Sequence, residues 1–240
     1  MITSYVCVDV ETTGLNPKEE KLIEIGAVKV VDGEITERFQ SFVHPGRPLE
    51  ARIVSLTGIT DKMLDGAPEP QKVMARFKDF CEELPLMGHN LQFDYAFLKK
   101  AMVNEKLTFE KQGLDTLRIS RKYLPELESR SLEFLCRYFE IEHTAHRALG
   151  DAEATSILYT KLCALFYKKA EREGCKVFLP TPMIYNVKRE KPITIAQKEQ
   201  ITRYCVVLGI SLNRDLNSMT RSEASRFIER HRLEVKTLEK

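Results

Sequence analysis

The chain has 240 residues, room for one ordinary catalytic domain and a small appendage. With 43% hydrophobic and 30% charged residues, and no apolar run approaching the roughly eighteen residues of a membrane span, it reads as a soluble globular protein. A net charge of +2 is too small to announce a nucleic-acid binder, but its distribution is uneven: residues 188–240 carry twelve Lys or Arg against seven Asp or Glu, a basic tail behind a mildly acidic body.

The N-terminus has no basic segment followed by an apolar run, which predicts no export signal and a cytoplasmic location. It enters directly into Tyr5-Val6-Cys7-Val8-Asp9-Val10-Glu11, whose period of two places Val6, Val8 and Val10 on one face and Cys7, Asp9 and Glu11 on the other. Two acids therefore share one side of a strand. β-rich runs at 22–31 and 34–43 follow, joined by the hairpin signal Asp32-Gly33, so the chain opens as an antiparallel meander.

A loop containing Pro45, Pro48 and Pro68 leads to a helix over about 71–84, and a short strand is expected near Leu86-Met87-Gly88. Asn90 is placed to cap the next helix, with Asp94 in its first turn and Phe93, Phe97 and Ala101 as its inward stripe. Another short strand should end at Asp115-Thr116, a helix carries Leu132, Leu135, Cys136 and Phe139, and a long helix from Leu149 carries Ile157, Leu158, Leu162 and Leu165. Strands first, then helices alternating with strands, predict an α/β protein with a mixed sheet and helices on its faces. Pro180, Pro182 and Pro192 make 176–192 read as a linker. Beyond it, capping boxes at Thr194–Gln197 and Thr220–Glu223 start two helices. The expected organisation is a domain over 1–175, a linker over 176–192 and a small basic helical appendage over 193–240. That appendage could complete the fold, grip nucleic-acid phosphates or dock a protein partner. The six cysteines form no CxxC pair and are expected to be reduced core residues.

Chemistry concentrates in four acids from three separated segments: Asp9 and Glu11 on a strand, Asp94 in a helix's first turn, and Asp151 near the start of the long helix. Hydrolysis of a phosphodiester by two hard divalent cations needs carboxylates clustered in this way. His146, five residues before Asp151, is a candidate proton acceptor. Each piece alone has a plain reading, such as a solvated strand face or an acid favouring a helix N-terminus. The apolar flanks of Asp9 and Glu11 weigh against that, because unpaired carboxylates in a central strand are costly unless a cation offsets them.

The motifs resemble those of the DEDDh (DnaQ-like) 3′–5′ exonuclease family, which includes the proofreading epsilon subunits of bacterial DNA polymerase III. Asp9-Val10-Glu11-Thr12-Thr13-Gly14-Leu15 is similar to its first motif, His89-Asn90-Leu91-Gln92-Phe93-Asp94 to its second, and His146-Arg147-Ala148-Leu149-Gly150-Asp151 to its third. Secondary matches lie at Ile23-Glu24-Ile25-Gly26-Ala27, Thr57-Gly58-Ile59-Thr60 and Leu114-Asp115-Thr116-Leu117. Thr57 departs from the family's frequent His-Gly-Ile-Thr, which puts nucleotide contacts there in doubt.

The resemblance implies a ribonuclease H-like fold and two divalent metal ions, Mg²⁺ or Mn²⁺. Asp9, Glu11 and Asp151 would be ligands, Asp9 bridging both ions and Asp94 holding one through water. His146 would take the proton from the attacking water. Thr12, Thr13, Leu15, Asn90 and Phe97 are candidate substrate contacts, although Phe97 at helical spacing from Phe93 fits a core position better. His89 is assigned a positioning role and His143 the surface. The implied activity is removal of 3′ nucleotides from single-stranded or 3′-terminal DNA, in proofreading or repair. A proofreading role would require a DNA polymerase as a separate partner. The alternatives are an exoribonuclease and a non-catalytic nucleic-acid-binding module on the same fold.

Overall fold

The computed structural model describes residues 1–142, 147–212 and 215–238. The chain opens with β1 (Tyr5–Thr12), β2 (Leu22–Val31) and β3 (Glu34–Phe42), antiparallel neighbours as the sequence pattern predicts. Asp32 (φ 51°) and Gly33 (φ 89°) make the β2–β3 turn in left-handed conformations that suit an Asp-Gly pair. Two short helices missed by the sequence reading, α1 (Ala51–Thr57) and α2 (Asp61–Leu64), occupy the proline-rich stretch. They bury Ile53 and Leu64 against Ile23 and Ile59.

α3 (Pro70–Cys81), β4 (Leu86–Gly88), α4 (Leu91–Asn104) and β5 (Gln112–Asp115) follow, each close to its predicted place. Helix α5 (Thr116–Tyr123) starts immediately after β5, with the Asp115 side chain accepting from the Leu117 N–H as its cap. Then come α6 (Leu132–Tyr138) and the long α7 (Ala148–Arg172). β4 runs parallel to β1, and β5 parallel to β4. In the 176–192 segment Phe178 is buried and β6 (Thr181–Pro182) pairs antiparallel with β5, giving a six-stranded sheet in the order β3-β2-β1-β4-β5-β6.

Helices cover both faces of the sheet, which explains why β2 is buried along nearly its whole length. On one face Val6, Val8 and Val10 pack with Phe77 of α3 and Tyr95 and Leu98 of α4. On the other, Tyr5 and Cys7 pack with Leu158 and Leu162 of α7. Of the four apolar residues named for this helix, Leu158 and Leu162 are buried while Ile157 and Leu165 are exposed (43% and 57%).

At the C-terminus α8 (Ile195–Leu208) and α9 (Arg221–Leu238) pack around Ile201, Met219 and Ala224. Both expected capping boxes form. In the first, Gln197 N–H donates to Thr194 Oγ1 and Thr194 N–H to Gln197 Oε1; in the second, Thr220 N–H donates to Glu223 and Glu223 N–H to Thr220. Ion pairs tie this end of the chain to the α/β body, through α9 by Lys21 and Glu223 at 4.0 Å and through the preceding segment by Glu190. Glu190 lies 3.1 Å from buried Lys100 and 3.2 Å from Lys21, while Glu190 N–H donates to Asn104. All six cysteines are free thiols.

Candidate active site

The acidic site stands at the end of β1, where the sheet changes from antiparallel to parallel pairing. Crevices at the carboxyl ends of parallel strands are where open α/β sheets place their chemistry. The alternation of β1 sends Asp9 and Glu11 to the face covered by α7, whose first turn carries Asp151. Carboxylate oxygens of Asp9, Glu11 and Asp151 lie within 4.8 Å of one another. Asp94, in the first turn of α4, reaches the backbone of the same strand: it is 3% exposed, and its Oδ1 accepts from the Val10 N–H at 3.1 Å. The four acids nominated from sequence thus converge, three as a cluster and Asp94 bonded to the strand that carries two of them.

Electrostatics around the cluster are unfavourable to ionised acids. Burial holds the Asp9 carboxyl well above the usual range, reinforced by Asp94, Asp151, Glu11 and Glu24. Glu11 is pushed up to about 7, by burial first and by Asp151 and Glu24 next, with Arg147 acting the other way. Asp94 is raised too, chiefly by burial, although N–H donors to its carboxylate oppose the shift. An all-oxygen set of crowded acids fits a hard divalent cation, whose charge would replace the repulsion with attraction.

A pH dependence follows. A carboxyl whose folded pKa is raised above its unfolded value contributes stability below the unfolded pKa, and loses it as pH rises through the folded pKa. For Glu11 that window runs from its ordinary 4.5 to about 7, and Asp9 and Asp94 act in the same direction. In chelator, the Tm of Glu11→Gln relative to wild type should therefore increase between pH 5 and pH 8. Adding Mg²⁺ should shrink the difference. A Tm difference that stays constant with pH would show that Glu11 is not held protonated by its surroundings.

The remaining nominated residues are placed as follows. Thr12 Oγ1 donates to the Gly14 carbonyl at 2.7 Å. The Thr13 hydroxyl binds Glu20 at 2.5 Å and accepts from the Lys21 N–H and from Arg47, so both threonines are engaged within the loop. Leu15 projects outward, 81% exposed. Asn90 occupies the N-cap position of α4 but in a left-handed conformation (φ 73°), so its side chain makes no cap; its N–H donates to Asp115 Oδ1. Phe97 is 2% exposed and packs on Phe93 at 5.0 Å, a core position. His89 is held between Thr116 Oγ1 (2.9 Å) and the Arg130 carbonyl (2.7 Å), with its pKa lowered mainly by burial. His143 and His146 lie outside the described residues. A cleft of about 440 Å³ between the catalytic body and the C-terminal helices is lined by Lys100, Asn104, Glu190 and Met219 but by none of the four acids.

Sequence reasoning matched the segment around Glu24 without giving that residue a role. Its carboxylate is completely buried, directly across from Glu11 in the β1–β2 pairing, and binds Arg147. An acid inside a largely apolar strand was the available signal.

A family model described as an exonuclease (RNase_T) matches residues 6–159, which hold every acid of the site. The chain belongs to this exonuclease family. It is 43% identical over 164 residues to the PolC-type DNA polymerase III of Bacillus subtilis and 42% identical over 163 residues to that of Bacillus cereus. Each alignment covers 66% of this chain but 11% of the relative, so the chain spans about a ninth of the length of these polymerases. Among solved structures, it is similar to exonuclease X in complex with 5′ overhanging duplex DNA. That match has a TM-score of 0.56 at 23% identity, over 68% of this chain and 93% of the other. It is also similar to exonuclease I, with a TM-score of 0.63 at 21% identity, over 71% of this chain and 43% of the other. The exonuclease domain thus has the ribonuclease H-like architecture of these neighbours: a mixed sheet between helical layers.

Proposed function

We propose that the chain is a metal-dependent 3′–5′ exonuclease that removes nucleotides from the 3′ end of DNA, in proofreading or repair. The observation that carries this reading is the convergence of Asp9, Glu11 and Asp151 within 4.8 Å, with buried Asp94 hydrogen-bonded to the same strand. Two Mg²⁺ or Mn²⁺ ions, when bound, would supply charge to activate water and stabilise the leaving oxygen. Asp9, Glu11 and Asp151 would hold them, Asp94 would hold one through water, and His146 would accept the proton of the attacking water. Leu15 and the Thr12–Thr13 backbone would border the terminal nucleotide, with Asn90 at the head of α4.

DNA is favoured over RNA because exonuclease X is in complex with duplex DNA, and exonuclease I with a dA16 oligonucleotide, in the related structures. The PolC-type relatives, DNA polymerases that contain the matching segment within their own chains, favour proofreading beside a DNA polymerase. No described helix is long and apolar enough to cross a membrane, and the cytoplasm is the proposed location. Within the chain, residues 1–175 form the proposed catalytic domain, 176–192 the connection and 193–240 the accessory module.

The test uses 5′-labelled single-stranded DNA, recessed and mismatched duplexes, and RNA, each in Mg²⁺, Mn²⁺ or excess chelator. A ladder shortening from the 3′ end, faster on DNA and lost in chelator, is the expected result. Faster trimming of RNA would favour the exoribonuclease. Binding without cleavage would favour the non-catalytic module.

A further inference from the structure

We infer that Glu24, latched to Arg147, and Gly26 are positioning residues that set the first turn of α7 against the sheet and thereby place Asp151 in the metal cluster. The inference rests on the metal-dependent reading above. Its basis is the register of β1 on β2, in which Glu11 faces Glu24 and Asp9 faces Gly26. The two strand residues that bear ligands are therefore paired with the two residues that receive the helix bearing the third.

Glu24 is 0% exposed and its carboxylate gathers four donors. Arg147 reaches it with Nη2 at 2.9 Å and Nε at 3.3 Å, the Ala148 N–H donates at 3.3 Å, and Gln40 Nε2 donates at 2.9 Å. Helix α7 has Arg147 at its N-cap position, with no side-chain cap of its own. Glu24 supplies one from the neighbouring strand: an anion against free N–H groups at the positive end of a 25-residue helix. A buried acid would be costly alone, but the guanidinium and the N–H donors offset that cost.

Gly26 fixes the distance. A Cβ at this position would lie 2.0 Å from the Leu149 nitrogen and 2.1 Å from the Ala148 carbonyl carbon, both backbone atoms that no rotamer change can move. Any side chain would lift the start of α7 from the sheet. Asp151 lies within the same first turn, and its carboxylate belongs to a cluster only 4.8 Å across. A displacement of an ångström or two would take it out of joint reach with Asp9 and Glu11.

The experiment compares wild type with Glu24→Gln, Arg147→Gln, the double variant and Gly26→Ala. Mn²⁺ affinity is measured by calorimetry, Tm is measured in chelator, and kcat and KM on labelled single-stranded DNA are measured across Mn²⁺ concentrations. Partners that orient metal ligands typically contribute about ten- to a hundredfold to metal affinity. Glu24→Gln and Gly26→Ala should each weaken Mn²⁺ binding by a factor in that range and raise the Mn²⁺ needed for half-maximal rate equally. KM for DNA at saturating metal should be unchanged. Because Glu24 and Arg147 act as one unit, the double variant should fall no further than the worse single variant. Wild-type Mn²⁺ affinity in folded Glu24→Gln, even with a lower Tm, overturns the inference, since the pair then only packs the helix. Glu24→Gln preserves shape and decides the matter if Gly26→Ala does not fold. A wild type that binds Mn²⁺ but cuts no nucleic acid would remove the nuclease reading, while the affinity comparison would still decide the positioning role.

Discussion

Asp151→Asn should lower turnover in Mg²⁺ by about a thousandfold or more while leaving the protein as stable as wild type, or more stable, in chelator. The activity loss follows from scale. Metal assistance at a reacting phosphate contributes several kcal/mol, and each 1.36 kcal/mol is about tenfold in rate. The stability gain follows from the crowding of the acids: Asp9 and Glu11 are both held above their usual range in part by Asp151. Replacing that charge by a neutral amide of the same shape removes repulsion and opens no cavity. Asp9→Asn should behave alike, because Asp9 feels all the other acids of the site. The checks are kcat in Mg²⁺ and Tm in EDTA. Full activity of either variant, or of wild type in excess chelator, would rule out metal-assisted hydrolysis at this cluster.

His146→Ala should reduce kcat by about 10²–10⁴-fold, the usual contribution of a positioned general base, with Mn²⁺ affinity largely retained. The argument is one of spacing: His146 precedes Asp151 by five residues, and the intervening Arg147 is fixed by Glu24. An imidazole with an ordinary pKa near 6.5 is suited to accept a proton near neutrality. The acidic limb of the pH–rate profile should therefore change in the variant. His143→Ala serves as the control, since it lacks that spacing and should keep wild-type activity. The reverse pattern would mean that the base is His143.

Much of this architecture was legible because its signals are local. The alternation of residues 5–11, the Asp32-Gly33 turn and the capping boxes at Thr194 and Thr220 each specify their element within a few residues, and each element forms as read. Helices α1 and α2 were missed because seven and four residues are too few to display a period. β6 was missed because two residues, one of them proline, carry no strand signature. α5 has eight residues and begins directly at the end of β5, so no turn separates the two patterns. At the site, the pairing of Asp9 with Glu11 followed from period two alone. Asp94 and Asp151 looked like ordinary acids of a helix's first turn, and only the family motifs tied them to β1. An acid in a largely apolar strand marked Glu24 as unusual, but its partner and the clearance at Gly26 lie in a tertiary fit that no single residue encodes: a carboxylate reaching a helix end and a backbone approaching a bare Cα.

The spread of the site along the chain has a consequence for how the protein folds. β1, β2 and β3 are joined by short connections and can pair while the rest of the chain is unformed, whereas β1 must find β4 some eighty residues away and α7 must return from still further. Closing loops of that length comes after local pairing. Asp9 and Glu11 therefore spend the early part of folding on a solvated hairpin, where water screens them from each other. The chain meets the mutual repulsion of its clustered acids only when α7 docks, after much of the apolar surface that can hold them together is already buried.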